Sequence, residues 1–186
     1  MKKFAIIYDE IFLKHNPGSY HPESPHRVQA IWERLQREDL SSHIEIFPPD
    51  TATKEEILWN HSEYLYDIIS QTKGKSYIQL DSDTATNEYS FEAAIKAVGA
   101  QKTALKVLLE NEHNGAFALV RPPGHHAERD RAMGFCLFNN IAIAAYYAKN
   151  YYGLKRILIV DWDLHHGNGT QKSFYSCLLY TSPSPR

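Results

Sequence analysis

The sequence predicts an α/β fold, a mostly parallel sheet flanked by helices, on three observations. Short apolar runs of strand-forming residues stand at 4–8 (FAIIY), 116–120 and 156–161 (RILIVD). The stretches between them carry helical spacing of apolar residues. Those stretches are also long enough for the crossover connections that parallel neighbours require.

Taken in order, Phe4 to Tyr8 reads as a buried strand that ends at Asp9-Glu10. A loop follows through Asn16-Pro17-Gly18 and His21-Pro22. Ser24 then suits an N-cap and Pro25 the first turn of a helix whose apolar face is Val28, Ile31, Trp32 and Leu35. Further helices are expected over 53–60 and 62–72. The longest periodic segment runs from about Tyr89 to Glu110, where Phe91, Ala94, Ile95, Val98, Leu105, Leu108 and Leu109 should pack on the sheet. A second strand at 116–120 precedes an Ala- and Tyr-rich helix over 139–152 closed by Gly153. The third strand is 156–161. No internal repeat or linker interrupts 1–175, so one domain is expected over 1–176, with 177–186 set apart.

Composition excludes several classes. With 43% hydrophobic residues in 186, the chain can bury a core rather than stay disordered. A formal charge of -2 leaves no strongly basic surface for phosphates, so no direct nucleic-acid partner is expected. No run of 18 apolar residues is present, and the apolar stretch after Met1-Lys2-Lys3 is too short for a secretory segment, so neither a membrane partner nor export is expected and the location reads as cytoplasmic. Cys136 and Cys177 make no disulfide framework, which fits a reducing compartment. The oligomeric state is not legible.

Histidine carries the chemistry. Two of its doublets follow strands, His125-His126 after 116–120 and His165-His166 after 156–161. Ligands of open α/β sheets bind beyond the carboxyl ends of the strands. If the backbone stays extended, Asp161, Asp163 and His165 share one side, because side chains alternate with period two. A catalytic zinc takes three protein ligands and keeps an open position, and Asp163 and His165 can supply two of them. Asp161 is then suited to orient one imidazole of the 125–126 doublet, and Asn168 the other. Two neighbouring imidazoles with unlike partners suit a split between general base and general acid. Taken singly, a doublet is more often a hydrogen-bonded surface pair, and an Asp after a strand more often a helix cap.

Together the segments RPPGHHA (121–127), GFC (134–136), FNN (138–140) and DWDLHHGNGT (161–170) closely resemble the histone deacetylase family, with its acetylpolyamine amidohydrolase and acetoin-utilisation deacetylase relatives. The resemblance runs from near Tyr8 to about Tyr175 and, through Asn168, looks like the class II side. It implies an arginase/deacetylase-like fold and hydrolysis of an N-acetyl amide, of acetyl-lysine or an acetylated polyamine or other small acetylated amine, to amine and acetate. By the same resemblance Asp163 and His165 are zinc ligands, and His125 and His126 flank the reacting water, paired with Asp161 and Asn168. Phe135 matches an aromatic wall of the acyl-lysine tunnel, Gly134 its backbone neighbour and Asp83 the rim aspartate. Arg27, in HPESPHR at 21–27, matches the arginine of the acetate channel. Backbone carbonyls around Asp161, Asp163 and His165, and Phe174, fall at potassium sites.

After Ser176 the pattern stops. The third zinc ligand, an Asp, and the carbonyl-polarising tyrosine of the family have no match, and CLLYTSPSPR at 177–186 reads as a non-family tail, an artefact joined to a truncated gene. The expectation is a deacetylase parent, and a chain that by itself is poorly soluble and inactive. A non-catalytic metal or acyl-lysine binding fragment is one rival. A ureohydrolase-type metallohydrolase is another, against which the order DWDLHH argues.

Overall fold

The computed structural model describes residues 3–110 and 113–176. Along the chain run β1 (Phe4–Ile7), α1 (Ile11–Lys14), α2 (Pro25–Leu35), α3 (Glu38–Ser41), β2 (Ile44–Phe47), α4 (Lys54–Leu58), α5 (Glu63–Ser70), β3 (Ile78–Asp81), β4 (Thr84–Thr86), α6 (Ser90–Glu110), β5 (Gly115–Ala118), α7 (Asn140–Tyr152) and α8 (Asn168–Phe174).

β1 is the middle strand of a three-stranded sheet of order β2-β1-β5, parallel on both sides, with Phe4 opposite Ile44 and Gly115. Its residues Ala5, Ile6 and Ile7 are buried, as a two-faced parallel strand requires. The α6 helix lies between two cores. One face packs Ala93, Ala97, Ala100, Ala104 and Val107 against Ile6, Tyr8 and Phe12 on the sheet side. The other packs Phe91, Ala94 and Val98 against Ile57, Leu65, Ile69, Phe138 and Ile143. A helix buried on two faces has a broad apolar band rather than one stripe. α6 and α7 thereby become the platform for the loops at the carboxyl ends of β1 and β5.

The helix ends follow from local chemistry. Ser24 Oγ accepts from the His26 N–H at 3.3 Å with Pro25 in the first turn. Thr53 and Glu56 form a reciprocal capping box on α4. Asn139 Oδ1 accepts from the Ala142 N–H at 3.1 Å, and Gly153, at φ 63°, ends α7 in the left-handed region.

The expected strand at 156–161 is a correction. That segment makes no ladder with any described strand, and it leaves Leu158 and Val160 exposed. An apolar run becomes a strand only when a neighbour completes its backbone hydrogen bonds. Among the described residues β5 pairs with β1 alone, and the 156–161 run does not close onto its other edge, so it remains unpaired. The short strand β2, the helices α1, α3 and α8 and the antiparallel β3–β4 hairpin were not expected from the sequence. The expected tail 177–186 lies outside the described residues.

Candidate functional site

The first histidine loop leaves the end of β5 through Arg121, which is 2% exposed. Its Nε donates to Glu23 Oε1 at 2.7 Å, and its Nη1 donates to the carbonyls of Phe12 and His15 at 2.6 and 2.9 Å. Glu23 is equally buried, so the pair is compensated inside the fold rather than by solvent. Nearby, His15 Nδ1 meets Ser90 Oγ at 2.7 Å, and burial, with the Arg121 charge adding to it, pushes its pKa down to about 3. On the other side of the loop His61 is buried: its Nε2 accepts from the Asn139 N–H at 2.8 Å and its Nδ1 donates to the Glu128 carbonyl at 2.8 Å. Burial lowers the His61 pKa to about 4, which keeps it neutral. The loop is thus pinned at both ends by buried polar groups.

Between those pins His125 and His126 stand with ring centroids 4.0 Å apart. His125 Nδ1 lies 2.8 Å from Asp161 Oδ2, and His126 Nδ1 lies 2.6 Å from Asn168 Oδ1. Both partners accept at those atoms, so each imidazole carries its proton on Nδ1 and presents an Nε2 lone pair. Two glycines permit the approach. A Cβ at Gly167 would overlap Asp161 Oδ2, and one at Gly134, which sits at φ 56°, would overlap the His126 ring.

The second segment is shaped by successive side-chain turns. Asp161 Oδ1 accepts from the Asp163 N–H at 3.2 Å, and Asp163 Oδ1 accepts from the His165 N–H at 2.7 Å. The latter bond holds the Asp163 carboxyl below the ordinary carboxylate range. Neither Asp caps a helix, since the N-cap of α8 is Gly167. The Asp163 and His165 side chains meet at 3.2 Å, and the His165 ring lies edge-on to His126 at 6.1 Å. One carboxylate and one imidazole suit zinc as donors. They are two of the three a site needs, and no group of three His, Cys, Asp or Glu converges among the described residues.

A rim stands beside the doublet. Phe135, at φ 68°, meets the His21 ring edge-on at 4.6 Å. Asp83, on the turn between β3 and β4, accepts at Oδ1 from the Gly134 N–H at 3.2 Å, and its carbonyl lies 3.0 Å from His21 Nε2. Thr84 Oγ1 accepts from the Phe135 N–H at 3.0 Å. The structure therefore joins Asp83, Gly134 and Phe135 in one edge next to His126.

Residues 21–182 match the histone deacetylase domain. The chain belongs to the histone deacetylase family. It is 43% identical to histone deacetylase 5 of Arabidopsis thaliana over 94% of this chain and 28% of that protein. With human histone deacetylase 9 the identity is 40%, over 96% of this chain and 21% of that protein. The crystal structure of the HDA15 HD domain superimposes with a TM-score of 0.86 at 39% identity, over 94% of this chain and 51% of that one. The parallel sheet with flanking helices is accordingly that of the deacetylase fold, and the chain spans less than a third of the curated relatives.

In this histone deacetylase domain Arg27 stands exposed on α2, whereas the guanidinium of Arg121 is buried. Phe174 packs on Tyr146 with ring centroids 5.4 Å apart. Burial raises the Cys136 thiol to about 12, which leaves it inert. A cleft of about 350 Å³ separates Ile159, Val160 and Trp162 from Gln101 and Ile141 on the two central helices, with His125 at its edge. Sequence reasoning missed Arg121, Glu23, His61 and Glu128 as members of the site. The first and last flank GHHA in the same motif, and that adjacency was the available signal.

Proposed function

We propose that this chain carries the histidine-bearing part of a zinc-dependent deacetylase site that hydrolyses an N-acetyl amide, of acetyl-lysine or of an acetylated polyamine, to free amine and acetate. The observation that carries the reading is the pair of adjacent imidazoles, each fixed through Nδ1 by its own acceptor, beside the Asp163 and His165 donors. Asp163 and His165 would hold the metal, with a third carboxylate supplied from outside the described residues. Zinc, when bound, supplies Lewis-acid polarisation of the acetyl carbonyl and of the attacking water.

The protein's own groups do the remaining work. His125 and His126 present Nε2 atoms that take a proton from the water and return one to the leaving amine. Asp161 and Asn168 hold the rings in the tautomer that allows it. Phe135 offers a flat apolar face to the uncharged butyl stem of acetyl-lysine. Asp83 stands at the rim, where a carboxylate can receive backbone N–H groups of a substrate. A cytoplasmic site of action and a potassium ion near the carbonyls of 161–165 belong to the same reading.

The test is to assay the full gene product on an acetyl-lysine peptide and on an acetylated polyamine, with and without chelator, while measuring bound zinc. Turnover abolished by chelation and restored by zinc is expected. Turnover indifferent to chelator would overturn the metal role, and stoichiometric zinc without turnover on either substrate would favour a binding module instead.

A further inference from the structure

We infer that Glu128 is a positioning residue for His126 and acts through the Asn168 amide; the inference rests on the deacetylase reading above. A carboxylate beside an imidazole presents an acceptor whichever way it turns. An amide does not, because its two ends are chemically opposite. If the Asn168 amide turned over, its NH2 would face His126 Nδ1, and the ring would have to move its proton to Nε2. The imidazole would then present a donor where a base needs a lone pair.

The surroundings of Asn168 forbid that turn. Its Nδ2 donates to Glu128 Oε1 at 2.8 Å, with the His126 carbonyl at 3.5 Å and the Met133 sulfur at 3.7 Å on the same side. All three are acceptors, so that end must be the NH2. Its Oδ1 is thereby committed to His126 Nδ1 at 2.6 Å. Glu128 is held from outside by Lys172 Nζ at 2.7 Å. Burial pushes the Glu128 carboxyl up, but the Lys172 ammonium and the Asn168 amide outweigh it and leave it below the ordinary range, hence ionised. An ionised carboxylate on the NH2 also polarises the amide, strengthening the bond at its other end. The doublet is thus served by two carboxylates, Asp161 in direct contact with His125 and Glu128 one amide removed from His126.

The test uses the full gene product. Glu128→Ala should lower kcat on an acetyl-lysine peptide about tenfold with KM unchanged, the range seen when a residue that orients an active-site histidine is lost. Glu128→Gln, which keeps an acceptor, should lose less. The diagnostic variant is Asn168→Asp, whose carboxylate needs no orienting. Added to Glu128→Ala it should restore kcat to within about threefold of wild type, whereas added to wild type it sets two carboxylates at hydrogen-bond distance and should lower kcat. An unchanged kcat in Glu128→Ala, or a loss that Asn168→Asp fails to relieve, overturns the inference. If wild type turns over neither substrate, the deacetylase reading fails separately, and 15N shifts of His126 decide this point alone. A single Nδ1–H tautomer that becomes mixed in Glu128→Ala supports positioning, and an unaltered tautomer refutes it.

Discussion

The two histidine loops follow strand-like runs of similar apolarity, yet they are held in opposite ways. The 121–128 loop is fastened from beneath by Arg121 with Glu23 and from the side by His61, all buried. The 158–166 segment leaves Trp162 at 91% and Leu164 at 94% exposure, and its shape comes from turns of its own Asp side chains. The difference teaches that a motif names the reacting groups, while buried polar bonds to distant parts of the chain decide how firmly they are aimed.

The comparison breaks most visibly at Arg121. Arg121→Met strands the Glu23 carboxylate inside the fold and should cost about 3–5 kcal/mol in urea unfolding. The exposed control Arg131→Met loses only a surface contact with Asp81 and should cost less than about 1 kcal/mol. Equal effects would refute the claim that the first loop is anchored from within.

The buried histidines set the next effect. Above the ordinary pKa of 6.5 the folded and unfolded states are both neutral, so pH changes nothing there. Below it the unfolded chain takes up protons that folded His61 and His15, lowered to about 4 and about 3, refuse. Stability should therefore fall as pH drops from 6.5 toward 4, by on the order of 3 kcal/mol from His61 alone. Urea midpoints at pH 7 and 4.5 measure it, and a flat profile would remove these histidines from the account.

Asn139 ties the first loop to α8, since it caps α7 and its Nδ2 donates to the Ala127 carbonyl at 3.4 Å and to Thr170 Oγ1 at 3.2 Å. Asn139→Ala should cost about 1–2 kcal/mol in the same assay. The smallest effect belongs to the second loop: Leu164→Ser should change stability by no more than about 0.5 kcal/mol while reducing self-association in light scattering. A large loss there would mean that Leu164 is packed rather than exposed.

Much of the fold was legible because apolar runs and caps are local signals. Phe4–Ile7, the α6 helix and the Asn139-to-Gly153 limits of α7 were readable from spacing alone. The β2 strand was not: IEIF lies at the edge of the sheet with Ile46 half exposed, and four residues give periodicity too little length. The strand at 156–161 shows the converse, since a strong local pattern cannot supply its own neighbour. In the site, the doublets and their partners Asp161 and Asn168 could be named because each lies in a dense polar motif. His61 could not, because a polar residue that bonds distant backbone leaves no periodic trace in the sequence, and HPESPHR at 21–27 points to Arg27 rather than to His21 and Glu23, whose partners Asp83 and Arg121 lie far along the chain.

Gly134 carries a consequence for engineering. Its missing side chain lets the 134–135 backbone rest directly on the His126 ring, and its N–H is tied to Asp83. The placement of Phe135, of Asp83 and of the His126 ring therefore shares one fixed point. A redesign that reshapes this rim will displace the His126 ring unless it leaves that position bare.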